Sequence, residues 1–171
     1  MANVRLYREN VTFALALPEA FADWEAPTAA ELNNSDLVYN ITCALNEDGT
    51  SFDLGDSDTD DSLSFCQAAG SISPTFFNPE VIFEAFRSLD PTAANVANEA
   101  FGLMAFPDIE YFAVLRVGYE SDVPFSAGDR VSLVRVRTDY PVGISGAGEN
   151  IRIQNNFLSQ GDVNWNYEIA A

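Results

Sequence analysis

Through much of the second half of the chain, apolar and polar positions alternate with a period of two. Val163, Trp165, Tyr167 and Ile169 interleave with Asp162, Asn164, Asn166 and Glu168, the pattern of a strand with one buried face. Just before them, Ile151, Ile153 and Phe157 interleave with Arg152, Gln154 and Asn156. The link Ser159-Gln160-Gly161 has turn chemistry, so the pattern predicts an antiparallel C-terminal hairpin. A second hairpin is expected from residues 109–119 and 130–138, joined by a loop over 120–129 that carries Pro124 and Gly128. Weaker strand signals cover residues 37–45, 50–54, 62–65 and 71–77.

Helical periodicity is scarcer. Asn78-Pro79-Glu80 supplies an N-cap, a proline at the first helical position and an acid in the first turn. Ile82, Phe86 and Leu89 then share one face at helical spacing, with Arg87 in the last turn. Residues 91–104 are alanine-rich and predict a second helix capped by Asp90, and residues 27–33 predict a short one. The expected fold is mainly β, a β-sandwich or barrel with one or two flanking helices and long loops. Neither a repeat nor a linker divides the chain. We expect a single domain over 1–171, with an N-terminal arm over about 1–36 and an acidic loop over about 46–62.

Composition supports a real core and removes much chemistry. At 47% hydrophobic residues with 13 Phe, the chain can bury an ordered interior. The sequence has no histidine and no lysine. That excludes a Ser-His-Asp or Cys-His nucleophile, His-ligated metals, a P-loop lysine and a Schiff base. No apolar run approaches the roughly 18 residues of a membrane-spanning helix. The apolar stretch over residues 11–17 is cut short by Pro18 and Glu19, which argues against a secretory signal. Cys43 and Cys66 read as reduced thiols rather than a disulfide framework or a metal cluster.

Charge adds the next feature. Against eight arginines stand 26 acidic residues, a formal charge of −18. No basic side chain occurs from residue 9 to residue 86. The densest acidic run is Glu47, Asp48, Asp53, Asp56, Asp58, Asp60 and Asp61. Asp56, Asp58 and Asp60 have calcium-loop spacing, but Asp61 and Gln67 stand where an EF-hand needs Gly and Glu. A solvated or interface-facing acidic segment is the better reading, with a calcium or acidic binding module as an alternative. Gly143, Gly146 and Gly148 precede a strand rather than open a helix, so they read as an inter-strand loop and not a phosphate cradle. Pairs of carboxylates suitable for a glycosidase exist by number alone and carry no signal. Arg116, Arg135 and Arg137 gather on the middle hairpin, with Arg135 and Arg137 two apart and therefore on one face. They are candidate partners for the acidic run of a neighbouring copy, or surface arginines that protect a sheet edge.

Several segments carry a family likeness. Leu54-Gly55-Asp56-Ser57-Asp58-Thr59-Asp60-Asp61, then Phe65-Cys66-Gln67 and Pro74-Thr75-Phe76-Phe77-Asn78-Pro79, resemble major tail proteins (tail tube proteins) of long-tailed, siphovirus-type phages of actinobacteria. Pro107-Asp108-Ile109-Glu110-Tyr111, Arg116-Val117-Gly118 and Gly161-Asp162-Val163-Asn164-Trp165 are similar as well. The resemblance implies a structural virion protein without catalytic residues or cofactor. Six copies would form a ring whose sheets join into an inner barrel, and stacked rings would make the tube through which DNA passes without specific binding. The implied partners are further copies, a tape measure protein, a tail terminator and baseplate proteins, with assembly in the host cytoplasm and no membrane. Another tail component, such as a terminator or a baseplate-hub protein, is the alternative within the same particle. An acidic lumen would repel phosphates and leave DNA free to move. In this reading the acidic run faces the lumen or the next ring, and the three arginines lie at seams between subunits.

Overall fold

The computed structural model describes residues 10–56, 58–60, 73–76, 78–145 and 150–170. The strands are β1 (Val11–Ala16), β2 (Val38–Asn40), β3 (Ser51–Leu54), β4 (Asp58–Asp60), β5 (Ser73–Phe76), β6 (Pro79–Phe86), β7 (Glu110–Val117), β8 (Arg130–Arg137), β9 (Val142–Ile144) and β10 (Arg152–Glu168). The helices are α1 (Ala29–Leu32) and α2 (Val96–Met104), with 3-10 turns at Pro18–Ala20, Thr42–Ala44 and Glu47–Gly49. Eight strands form one antiparallel sheet in the order β2-β1-β7-β8-β10-β6-β3, with β9 beside β10, and β4 and β5 pair separately. The protein is mainly β, as the alternation along the chain predicts.

The central strands β1, β7 and β8 are buried on both faces. On one face Leu15, Tyr111, Ala113, Val134 and Val136 pack against Phe52, Val81, Phe83, Ala85 and Phe157. Ring contacts join Phe83 to Phe13, Phe52 and Phe157, although β1 and β6 are far apart in the sheet order. The sheet therefore folds over and closes this core between its two halves, as in the sandwich expected from the strand pattern. On the other face Ala14, Ala16, Phe112, Val114, Val131 and Leu133 meet Phe21, Leu32, Phe125 and Ile169. Double burial explains why these strands read as near-continuous apolar runs rather than clean alternations.

Three predicted elements differ from the structure, the first being the strand expected over 37–45, which is only β2 and gives way to a 3-10 turn at Thr42–Ala44. Residues 79–86 form strand β6, not a helix. Val81, Phe83 and Ala85 are buried and lie on one face at strand spacing, and the chain pairs with β10 and β3. The helix-start residues yield to this tertiary pairing, and Pro79 sits at the first position of the strand, where a missing N–H is tolerated. The predicted C-terminal hairpin is instead one 17-residue strand, β10. Its residues 152–157 pair with β6 and its residues 158–168 with β8. Ser159-Gln160-Gly161 is used as a bulge, with the pairing register shifting between Ser159 and Val163 and Gly161 at φ 89°. The middle hairpin forms as predicted, β7 against β8.

Helices α1 and α2 flank the sheet. Thr28 and Glu31 close a capping box on α1, with the Glu31 carboxylate also accepting from the Ala22 N–H at 2.9 Å. Helix α2 begins at Val96 under an Asn95 cap, later than the predicted start, while Asp90 instead accepts from Thr92 in a local turn. Cys43 is a free, exposed thiol, and Cys66 lies outside the described residues. The predicted strand over 62–65 and the glycines at 146 and 148 also lie outside them. Gly49 carries a packing reason, because a Cβ there would collide with the Glu84 side chain.

Two outcomes test this architecture. Replacing Phe83 with Ala should cost about 3–5 kcal/mol in urea unfolding, and Ile82→Ala on the opposite face less than half of that; equal costs would contradict the strand assignment. Burial works to raise the Glu31 carboxyl, but hydrogen bonds from the Ala22 and Thr28 N–H groups and the Thr28 hydroxyl outweigh it and hold the group below its usual value. A lowered carboxyl stabilises the fold above the unfolded value of roughly 4.3, and that stability fades as pH falls through the folded value. Glu31→Gln should therefore remove part of the acid-dependent loss of stability in a pH series of thermal melts.

Candidate assembly surfaces

The acidic run does not make one loop. Glu47 and Asp48 are exposed on a 3-10 turn, Asp53 lies in β3, Asp56 follows that strand, and Asp58 and Asp60 belong to β4. Asp61 lies outside the described residues. Asp53 stands directly opposite Glu80 in the pairing of β3 with β6. Like charges at paired positions repel, so this pair weakens rather than strengthens the edge of the sheet. Among the described residues, no three acidic or cysteine side chains come together to hold a metal ion.

The described arginines are committed within the subunit. Arg135 bonds Asp162 at 2.9 Å and also pairs with Glu110. Asp162 first and Glu110 second stabilise its charged form, raising its pKa. Arg137 bonds Asp108 at 3.0 Å and Glu110 at 3.3 Å. The two arginines thus share one face, as their spacing predicts, but three carboxylates of the same chain already meet them. Arg130 pairs with Glu168, Arg152 with Glu84, and the Arg87 guanidinium lies 4.1 Å from the Phe101 ring centre.

Arg116 departs most from expectation. It is not on a surface with the other two, since its side chain is fully buried. Its guanidinium donates to Asp129 Oδ2, Thr12 Oγ1 and the carbonyls of Glu120, Val123 and Pro124 at 2.6–3.1 Å. The Phe125 ring lies 4.5 Å away. One cation therefore shapes the whole loop between β7 and β8. Asn33, at the end of α1, secures the same loop by exchanging bonds with Phe125 N–H and C=O. Sequence reasoning missed this clamp because the loop carbonyls leave no trace in the residue types; the Arg116 and Asp129 pair at the two ends of the hairpin loop is the one available signal.

Backbone edges complete the picture. Residues 158–168 of β10 pair with β8 on one side, and no described strand pairs with them on the other. At the far side of the same half-sheet, β2 pairs with β1 alone. An unpaired edge is a template for another strand.

A profile of the phage tail tube protein family matches residues 1–171. The chain belongs to that family. A comparison with curated protein sequences finds no match. Family membership makes this a structural component of a phage tail that self-assembles with other tail proteins. No described helix is long and apolar enough to cross a membrane.

The Arg116 clamp generates a stability prediction. Arg116→Met strands the buried Asp129 carboxylate and should cost about 3–5 kcal/mol in urea unfolding. Arg116→Lys should recover little, because an ammonium cannot reach a fan of five acceptors. A loss below about 1 kcal/mol for either variant would mean that other contacts hold the loop.

Proposed function

We propose that this protein is the major tail tube subunit of a long-tailed, siphovirus-type phage of an actinobacterial host. Its copies form hexameric rings that stack into the tube around the DNA channel. The observation that carries this reading is the open half-sheet β2-β1-β7-β8-β10, with a free edge at β2 and another along residues 158–168 of β10. Lateral pairing of one copy's β10 edge with the β2 side of the next would extend the sheet around a ring without a change of fold.

The acidic patch supports a channel wall. Asp53, Glu80, Asp56, Glu47 and Asp48 lie in or beside β3 and β6, in a part of the sequence that offers no basic side chain. Such a surface repels phosphates and gives translocating DNA no adhesive sites. In this reading Arg135 and Arg137 brace β7 and β8 inside each subunit, and the seam is formed by backbone edges. The partners in this reading are further copies, a tape measure protein, a tail terminator and baseplate proteins.

Electron microscopy of the purified protein and of tail fractions tests the reading. Six-fold rings that extend into tubes are expected. Rings that never lengthen would indicate a terminator or hub component. Monomers only at high concentration, with the protein absent from tails, would refute a tube role.

A further inference from the structure

We propose that the chain carries a self-cleavage site at the Asp90–Pro91 peptide bond, with the Asp90 carboxylate as nucleophile and the fold supplying the donors that activate its carbonyl. This inference goes beyond the tube-subunit reading, and either can fail without the other.

Asp90-Pro91 is the only Asp–Pro pair in the sequence. It lies between β6 and α2, and both residues are exposed. The Asp90 carboxylate is oriented by its neighbour, since Oδ1 accepts from the Thr92 N–H at 2.9 Å and from the Thr92 hydroxyl at 2.7 Å. The Asp90 N–H donates to Ser88 Oγ at 3.3 Å, and the side chain of Asn95, the cap of α2, donates to the same hydroxyl at 3.1 Å. These bonds tie the segment to the start of α2. The carbonyl of the Asp90–Pro91 bond accepts twice, from Asn98 Nδ2 at 2.8 Å and from the Ala93 N–H at 3.3 Å. Asn98 is fixed in turn, with Nδ2 also donating to the Ala93 carbonyl at 2.7 Å and its N–H donating to Asn95 Oδ1 at 2.9 Å. Two donors held on a carbonyl oxygen stabilise the negative charge that grows there when the carbon is attacked.

The chemistry needs only water. A carboxylate oxygen of Asp90 bonds to the residue's own carbonyl carbon and closes a small ring, an intramolecular step that requires no encounter. The carbon–nitrogen bond to Pro91 breaks, and its electron pair leaves on the proline nitrogen, which takes a proton from solvent and becomes a secondary amine. Water then opens the cyclic anhydride, leaving Asp90 as a new C-terminus and Pro91 as a new N-terminus. The nucleophile must be ionised while the leaving nitrogen needs a proton. The Thr92 hydroxyl first, and then the Thr92 N–H, hold the Asp90 carboxyl below its usual value. The ionised form therefore persists as protons become plentiful, so cleavage rises as pH falls and levels off below the folded value. The charged groups on the surrounding elements are Arg87 over the Phe101 ring, Glu99 on α2 and Arg152 paired with Glu84, and none of them bonds Asp90. The two pieces stay together after the cut, because β1 pairs with β7 and β6 with β10 across it.

The experiment follows the purified full chain at about pH 7, 6 and 5 with protease inhibitors present. Intact-mass spectrometry should find fragments 1–90 and 91–171 whose masses add to the chain plus one water, while native size exclusion shows no separation of the pieces. At about pH 5 the folded chain should cleave at least about tenfold faster than the same chain unfolded in about 8 M urea. Asp90→Ala should abolish the cut. Asn98→Ala, which keeps both the carboxylate and the Asp–Pro bond, should bring the rate down to that of the unfolded chain, with circular dichroism showing that it folds. Thr92→Val serves the same comparison where Asn98→Ala does not fold. Absence of the two fragments, equal rates in folded and unfolded chains, or a folded Asn98→Ala or Thr92→Val that cleaves at the unaltered rate would overturn the inference.

Discussion

The fold depends on β10 remaining one strand while serving two half-sheets. Its first residues complete a layer with β6, β3 and β9, and the rest complete a layer with β8. Any break at residues 159–161 would uncouple the layers and open the aromatic core between them. The chain meets this constraint with a bulge, not a turn. Gly161 takes the positive φ that a side chain would resist, and the strand changes direction while its backbone continues to pair on either side. Phe83, Phe52, Phe13 and Phe157 then fill the space the bend creates.

This same feature limits what the sequence can reveal. The alternation on both sides of Gly161 is legible, and so is the turn chemistry between them; whether that chemistry reverses the chain or bends it is decided by β6, which occupies the place a hairpin partner would take. Strand β6 is obscured for a related reason. Asn78-Pro79-Glu80 is good helix-start chemistry, and the apolar residues of 81–86 satisfy both a helical and a strand pattern. Burial between two strands settles the ambiguity, a term absent from any local window. By contrast, the middle hairpin was legible because its signal is local, a polar loop with Pro124 and Gly128, while the short helix expected over 27–33 forms as α1, closed by a Thr28 to Glu31 capping box that the structure reveals.

The charged residues divide along the same line. That Arg135 and Arg137 share a face follows from spacing alone. That their partners are Glu110, Asp108 and Asp162 depends on strand register and on the position of β10. Arg116 has the same strand parity as the residues opposite Arg135 and Arg137, yet it is buried because the β7–β8 loop folds back over it. Burial of a guanidinium is costly unless its donors are met, and here a carboxylate, a hydroxyl and three carbonyls meet the two terminal nitrogens, while the buried Nε has no partner.

Commitment of the described arginines inside the subunit changes what −18 means for assembly. If the arginines projected freely, the charge would be a polarity, with a basic side able to grip an acidic one. With the described arginines occupied, neighbouring copies present one another with mostly negative or apolar surface. Bringing many such copies together raises electrostatic energy with every addition, and only contacts indifferent to charge can offset it. In the proposed ring, backbone hydrogen bonds between strand edges would supply the sideways contact, and side-chain charge at paired positions would still count against it. In the proposed tube, the charge that hinders assembly would also be the charge that keeps a polyanion from adhering to the wall.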